Sequence, residues 1–121
     1  VANYNRVDAI RAMEKLINEG VGFDAIYAHS DSMAIGARIA LKKEKIDVRS
    51  LVTIGIDYID DSREAIRAGK QSVSFTYPTA GREGAEAVVK ILQGKKLEKD
   101  QTVPFEMVTH ENVEYIDTIF K

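Results

Sequence analysis

Three consecutive residues, His29, Ser30 and Asp31, are the types that form a nucleophile, its base and the base's orienting acid. Adjacency rules that chemistry out, because neighbours in sequence cannot align their side chains as a relay. A metal reading fares no better. Asp57, Asp60 and Asp61 lie close together, but a calcium loop needs a glycine-containing turn and a closing Glu, which are absent there. His110 stands apart from other donors, so zinc has no ligand set. The chain has no cysteine, which excludes disulfides, thiolate ligands and thiol catalysis. Without a nucleophile–base pair, a glycine-rich phosphate loop or a metal cluster, the sequence predicts a binding protein rather than an enzyme, with no cofactor and no metal. What remains is Asp57, a carboxylate ending an apolar run, able to accept two hydrogen bonds from neighbouring hydroxyls of a small ligand. Its alternative role is to cap the next turn.

The elements that would position these residues follow from hydrophobic spacing. Val7, Ile10, Met13, Leu16 and Ile17 predict a helix over residues 5–19, stopped by Gly20. Residues 25–28 read as a buried strand. It runs into a helix over 31–44, with Asp31 as N-cap and Met33, Ala34 and Ala37 facing inward. Residues 51–56 form a second apolar strand, and a short helix over 60–68 ends at a left-handed Gly69. Alternation of Ser72, Val73, Ser74 and Phe75 predicts a strand over 72–76, broken by Pro78. A long helix to Gln93 opens at Thr79 or Gly81, with Ala85, Val88, Val89 and Leu92 facing inward, and Gly94 ends it. The last strand spans 103–108, with Pro104 arguing for an edge position, and a terminal helix covers 112–119. The alternation predicts an α/β domain: a mainly parallel open sheet with helices on both faces. Two strand-to-helix junctions, at Ala28–Asp31 and at Asp57–Asp60, are the places where such sheets bind small polar ligands.

Length and charge narrow the partners. The 121 residues suit one domain, and a net charge of -2 gives no field for nucleic acid or an anionic membrane. No apolar run approaches the roughly 20 residues of a membrane span. Because the first residue is Val1, the sequence reads as an excised piece whose targeting signal lies upstream.

These residues carry a family resemblance. His29-Ser30-Asp31-Ser32-Met33-Ala34-Ile35-Gly36, Gly55-Ile56-Asp57 and Ala65-Ile66-Arg67-Ala68-Gly69-Lys70 resemble type I periplasmic sugar-binding proteins of the ribose/galactose class, which share a fold with LacI-type repressor cores. Tyr77-Pro78, the Gly81/Gly84 helix, Leu92-Gln93-Gly94-Lys95 and Val108-Thr109-His110-Glu111-Asn112-Val113 continue the match in the family's order. The resemblance implies a two-lobe receptor with ligand gripped between the lobes. Residues 1–121 would then supply part of the C-terminal lobe, and residues 78–102 would pack on an N-terminal lobe outside this chain. It implies a sugar as ligand and Asp57, Ser30, Tyr77 and Asp31 as ligand-binding candidates. Ser30 stands where the family typically carries Asn, and Tyr77 where Gln is common. For Asp31 the resemblance leaves helix capping beside ligand contact.

The implied partners are an ABC permease or a membrane sensor, and the implied location is periplasmic or extracellular. Phe75-Thr76-Tyr77-Pro78-Thr79 resembles the sensor domains of hybrid two-component kinases, which gives one alternative output. A LacI-type repressor core is the other, and it would need a DNA-binding segment upstream. A homodimer of this chain, formed through the face left by the other lobe, is a further alternative. A phosphoacceptor receiver domain fails, because the acidic pair after the first strand and the lysine after the last core strand are both lacking.

Overall fold

The computed structural model describes residues 1–119. In chain order these form α1 (Arg6–Asn18), β1 (Ala25–Tyr27), α2 (Asp31–Lys43), a 3-10 turn (Val48–Ser50), β2 (Val52–Asp57), α3 (Asp60–Arg67), β3 (Val73–Thr76), α4 (Gly81–Leu92) and β4 (Met107–Val108). The sheet order is β1-β2-β3-β4. The β1–β2 and β2–β3 pairs are parallel, with α2 and α3 as their crossovers, and β4 joins β3 antiparallel at the edge. The mainly parallel α/β sheet agrees with the reading of the sequence, and its packed helices α1, α2 and α3 share one face.

The register assigns residues to faces. Ile26 pairs with Thr53, Gly55 with Ser74, and Ser74 with Val108, so these five share one side. Onto that side pack α1 and α2, through Met13, Ala37, Ala40 and Leu41 with Ile10, Ile17 and Ile26. A second cluster of Tyr58, Ile66, Val108 and Val113 brings α3 and the C-terminal turns onto the same side. The opposite side, carrying Tyr27, Val52, Ile54, Ile56 and Met107, is half-buried or exposed.

Close approach explains one glycine. A Cβ on Gly36 would lie 2.5 Å from the Arg6 carbonyl oxygen and 2.8 Å from the Ala9 Cβ, so α1 and α2 cross there at backbone distance. That crossing rotates α1 away from the expected face. Ala9 and Met13 are buried, Ile10 and Ile17 half-buried, and Val7 and Leu16 exposed.

Five other expectations are corrected. Ala85, Val88, Val89 and Leu92 do not face inward: α4 buries no residue, and all four are exposed because no described element covers that face. Residues 25–28 are not a buried strand, because β1 is the sheet edge and Ala25 and Tyr27 are exposed. The N-cap of α2 is Ser30 rather than Asp31: the Ser30 backbone is extended and its Oγ accepts from the Met33 N–H at 3.3 Å. The last strand is only Met107–Val108, shorter than 103–108; the Pro104 stretch, with one N–H fewer, stays outside the ladder. No helix forms over 112–119. There Asn112 accepts from the Thr109 N–H at 2.8 Å and donates to the Met107 carbonyl at 2.9 Å, and these side-chain bonds favour turns over a helix.

Candidate functional site

The carboxyl ends of β1, β2 and β3 open on one side of the molecule, where the strand ends and the turns after them place four side chains together. Tyr27 ends β1 and His29 follows it; Asp57 ends β2; Tyr77 follows β3. With Tyr4 and Ile56 they line an open concavity of about 510 Å³. Tyr4 comes from the loop before α1, where Asn3 and Tyr4 both adopt left-handed backbone (φ 46° and 54°). The Tyr27 and His29 rings meet edge to face with centroids 5.1 Å apart. Tyr4, Tyr27 and Tyr77 are all largely exposed, which leaves ring faces and phenolic hydroxyls open to solvent.

Asp57 is the acidic group of this concavity. Partial burial pushes its carboxyl above the usual range, and the nearby Asp31 carboxylate adds to the rise. The backbone N–H of Asp31, at the opening of α2, opposes both by hydrogen bonding to Asp57. When ionised, Asp57 can accept hydrogen bonds from two adjacent hydroxyls, while tyrosine faces can cover the apolar side of a ring.

The structure brings Asp57 and Tyr77 together and sets Ser30 and Asp31 back from the concavity. Ser30 is buried with its hydroxyl engaged in the cap. Asp31 is fully buried beneath the β2–α3 turn, and its carboxylate accepts from Ile59, Ser62, Gln71 and Ser74. Neither Asp60 nor Asp61 lines the concavity. Asp60 accepts from Thr118 Oγ1 at 2.6 Å, and Asp61 pairs with Arg6 at 3.0 Å. His29 shares the site with Asp57, but no serine hydroxyl lies beside it in the concavity.

Sequence reasoning missed Tyr4 and Tyr27. Tyr27 alternates outward from Ile26 and could have been found as the polar-tipped residue at a strand's carboxyl end. Tyr4 carries no such signal, since only the packing of α1 beside α2 brings its loop to the strand ends. A separate groove of about 530 Å³ near the end of α2 is lined by Arg38, Lys42, Lys45, Arg49 and Lys70. Cations there complement the carbonyl end of the helix.

Known proteins share this fold. A Rhizobium meliloti protein named for rhizopine binding is 36% identical over 114 residues, covering 93% of this chain and 37% of that protein. The solved structure of an ABC transporter solute binding protein from Bacillus halodurans, with bound myo-inositol, superposes with a TM-score of 0.82 at 33% identity. That match covers 93% of this chain and 39% of the other. The fructose binding periplasmic domain of a hybrid two-component system superposes with a TM-score of 0.83 at 26% identity, covering 93% and 38%. This chain thus spans under two fifths of the length of each of these proteins. The periplasmic binding protein domain family matches residues 1–96, and the chain belongs to that family.

Proposed function

We propose that this chain is one lobe of an extracytoplasmic receptor that binds a polyhydroxylated ring, a sugar or a cyclitol, between two lobes. The observation that carries the proposal is Asp57, an acceptor pair at the end of β2 in a concavity walled by Tyr4, Tyr27 and Tyr77. Relatives with the same fold are named for binding rhizopine or solved with myo-inositol, both at a third or more identity. In this reading Asp57 receives two ring hydroxyls, Tyr77 and Tyr4 cover the ring, and His29 borders it. Asp31 and Ser30 shape the site from behind. Residues 78–102 pack on the second lobe, which is supported by an α4 with no buried residue and by relatives more than twice as long.

Ligand would favour the closed arrangement of the two lobes by its differential affinity for it, and no bond is made or broken. The output is delivery to an ABC importer. A second reading, signalling through a hybrid two-component sensor, is favoured by the likeness to the fructose binding domain.

Titration calorimetry of the full protein against myo-inositol, D-fructose and D-ribose tests the proposal. At least one is expected to bind, and Asp57→Ala is expected to weaken it by about 100-fold or more. That is the loss of two hydrogen bonds to a charged group at about 1.5–3 kcal/mol each. Unchanged affinity in the variant would sink the site.

A further inference from the structure

The turn that presents Asp57 is held in a conformation that side chains disfavour. Asp57 has φ 104° and Tyr58 has φ 54°, two consecutive left-handed residues that are not glycine. Such a pair persists only where its surroundings over-determine it. Tyr58 is pinned from three sides: its N–H donates to Ser74 Oγ at 3.2 Å, its hydroxyl donates to the Val113 carbonyl at 3.1 Å, and its own carbonyl accepts from the Ile119 N–H at 3.1 Å. The next residue, Ile59, donates its N–H to Asp31 Oδ2 at 3.3 Å.

Asp31 is the convergence point. Its Oδ2 also accepts from Ser62 Oγ at 2.6 Å and Ser74 Oγ at 2.8 Å, while Oδ1 accepts from Gln71 Nε2 at 2.8 Å. Gln71 accepts in turn from Arg38 of α2. Four donors thus reach one carboxylate from the β2–α3 turn, from α3, from β3 and from Gln71 in the loop before β3. A carboxylate suits this place because it is acceptor-only, with about four lone-pair sites; an amide would turn an NH₂ toward some of the donors. The socket is also cut to its length. A Cβ on Gly55 of β2 would lie 2.0 Å from Asp31 Oδ1, so β2 has to carry glycine opposite it. Meanwhile the backbone N–H of the same Asp31 faces the Asp57 carboxyl.

We propose that Asp31 is a positioning residue: with Ser74 as its bridge to Tyr58, it locks the left-handed Asp57–Tyr58 turn so that the Asp57 carboxylate is aimed into the concavity. The inference rests on the reading of Asp57 as the ligand's acceptor. Asp31 never touches ligand itself. Its buried charge sets affinity through the turn, so that binding is more sensitive to this network than overall stability is.

The test compares affinity with stability in the full protein, using whichever of myo-inositol, D-fructose and D-ribose the wild type binds tightest. Asp31→Asn and Ser74→Ala are the variants. Ser74→Ala keeps the buried carboxylate and removes only the bridge, so it reports even where Asp31→Asn fails to fold. Leu41→Ala, in the α1–α2 core away from the turn, is the control for destabilisation alone. Asp57→Asn is the reference for loss of the site. Expected are loss of binding in Asp57→Asn, affinity at least about tenfold weaker in Ser74→Ala and in folded Asp31→Asn, and wild-type affinity in Leu41→Ala despite a lower unfolding midpoint. Wild-type affinity in Ser74→Ala, with binding lost in Asp57→Asn, overturns the positioning role and leaves the site standing. Binding retained by Asp57→Asn, or no binding by the wild type, overturns the site reading and this inference with it.

Discussion

Helices α2 and α4 are nearly equal in length, 13 and 12 residues, and both follow the carboxyl end of a strand. Their fates differ. Helix α2 buries seven residues, among them Ala34, Ala37, Ala40 and Leu41, and a serine caps its first turn. Helix α4 buries none; Val88, Val89, Ile91 and Leu92 are exposed, and its N-cap position is a left-handed Ala80 with no side-chain bond. The periodicity that makes a helix amphipathic does not supply the surface that covers it. An isolated helix of this length is marginal in water, so most of its stability has to come from packing. Helix α2 has that packing from α1 and the sheet, whereas the proposed partner of α4 is a second lobe.

The largest expected effect lies in the packed region. Leu41 is fully buried among Met13, Ala37 and Ala40, and truncating it leaves a void between α1 and α2. Leu41→Ala is expected to cost about 2–5 kcal/mol in urea unfolding. A cost under about 1 kcal/mol would mean that α2 is no better anchored than α4, and the contrast between the two helices would collapse.

Next comes the Asp57 carboxylate, which sits against the opening of α2. Its folded pKa is raised, first by burial and then by Asp31. Between the unfolded and folded values the native state holds more protons, so stability falls as pH rises through that window. Above it, ionised Asp57 remains a standing cost to the fold. Asp57→Asn is therefore expected to raise the unfolding temperature at about pH 7, and the gain should shrink as pH falls through that window and vanish below the usual carboxylate value near 3.9. A lower unfolding temperature at neutral pH would show that the ionised carboxylate stabilises the α2 opening instead. The two ends of the comparison would then differ in electrostatics as well as packing.

Much of this architecture was legible in the residues. The order of strands and helices, the edge position of the last strand and the left-handed Gly69 all follow from local rules, because spacing, Pro and Gly act within a few residues. Asp57 could be singled out because a carboxylate ending an apolar run is conspicuous. Asp31 was misread for a physical reason. Ser30 and Asp31 are both good caps, and only the depth of the β2–α3 turn decides that the hydroxyl caps while the carboxylate is buried. The C-terminal turns escaped as well, since the Asn112 side chain bonds to the backbone of Met107 and Thr109 before it and Val113 is buried against Tyr58. The Asn112 bonds are local, three and five residues back, but Tyr58 is distant in sequence, and no window of local pattern contains that contact.

The smallest expected effect is the sharpest test of the contrast between α2 and α4. Leu92 is 81% exposed at the last position of α4. Alanine is at least as good a helix former as leucine, so in this chain alone Leu92→Ala should change stability by no more than about 0.5 kcal/mol. In a protein where α4 packs on a second lobe, the same substitution should cost about 2–5 kcal/mol, as Leu41→Ala does here. Measuring the variant in both settings separates an apolar face that awaits its cover from one that never has any. Equal small effects in both would leave α4 as a solvent-exposed helix and would remove residues 78–102 from the lobe interface. A large effect in the short chain would show that α4 finds cover within these residues, by folding back or by pairing with a second copy, and sedimentation at two concentrations would tell those apart.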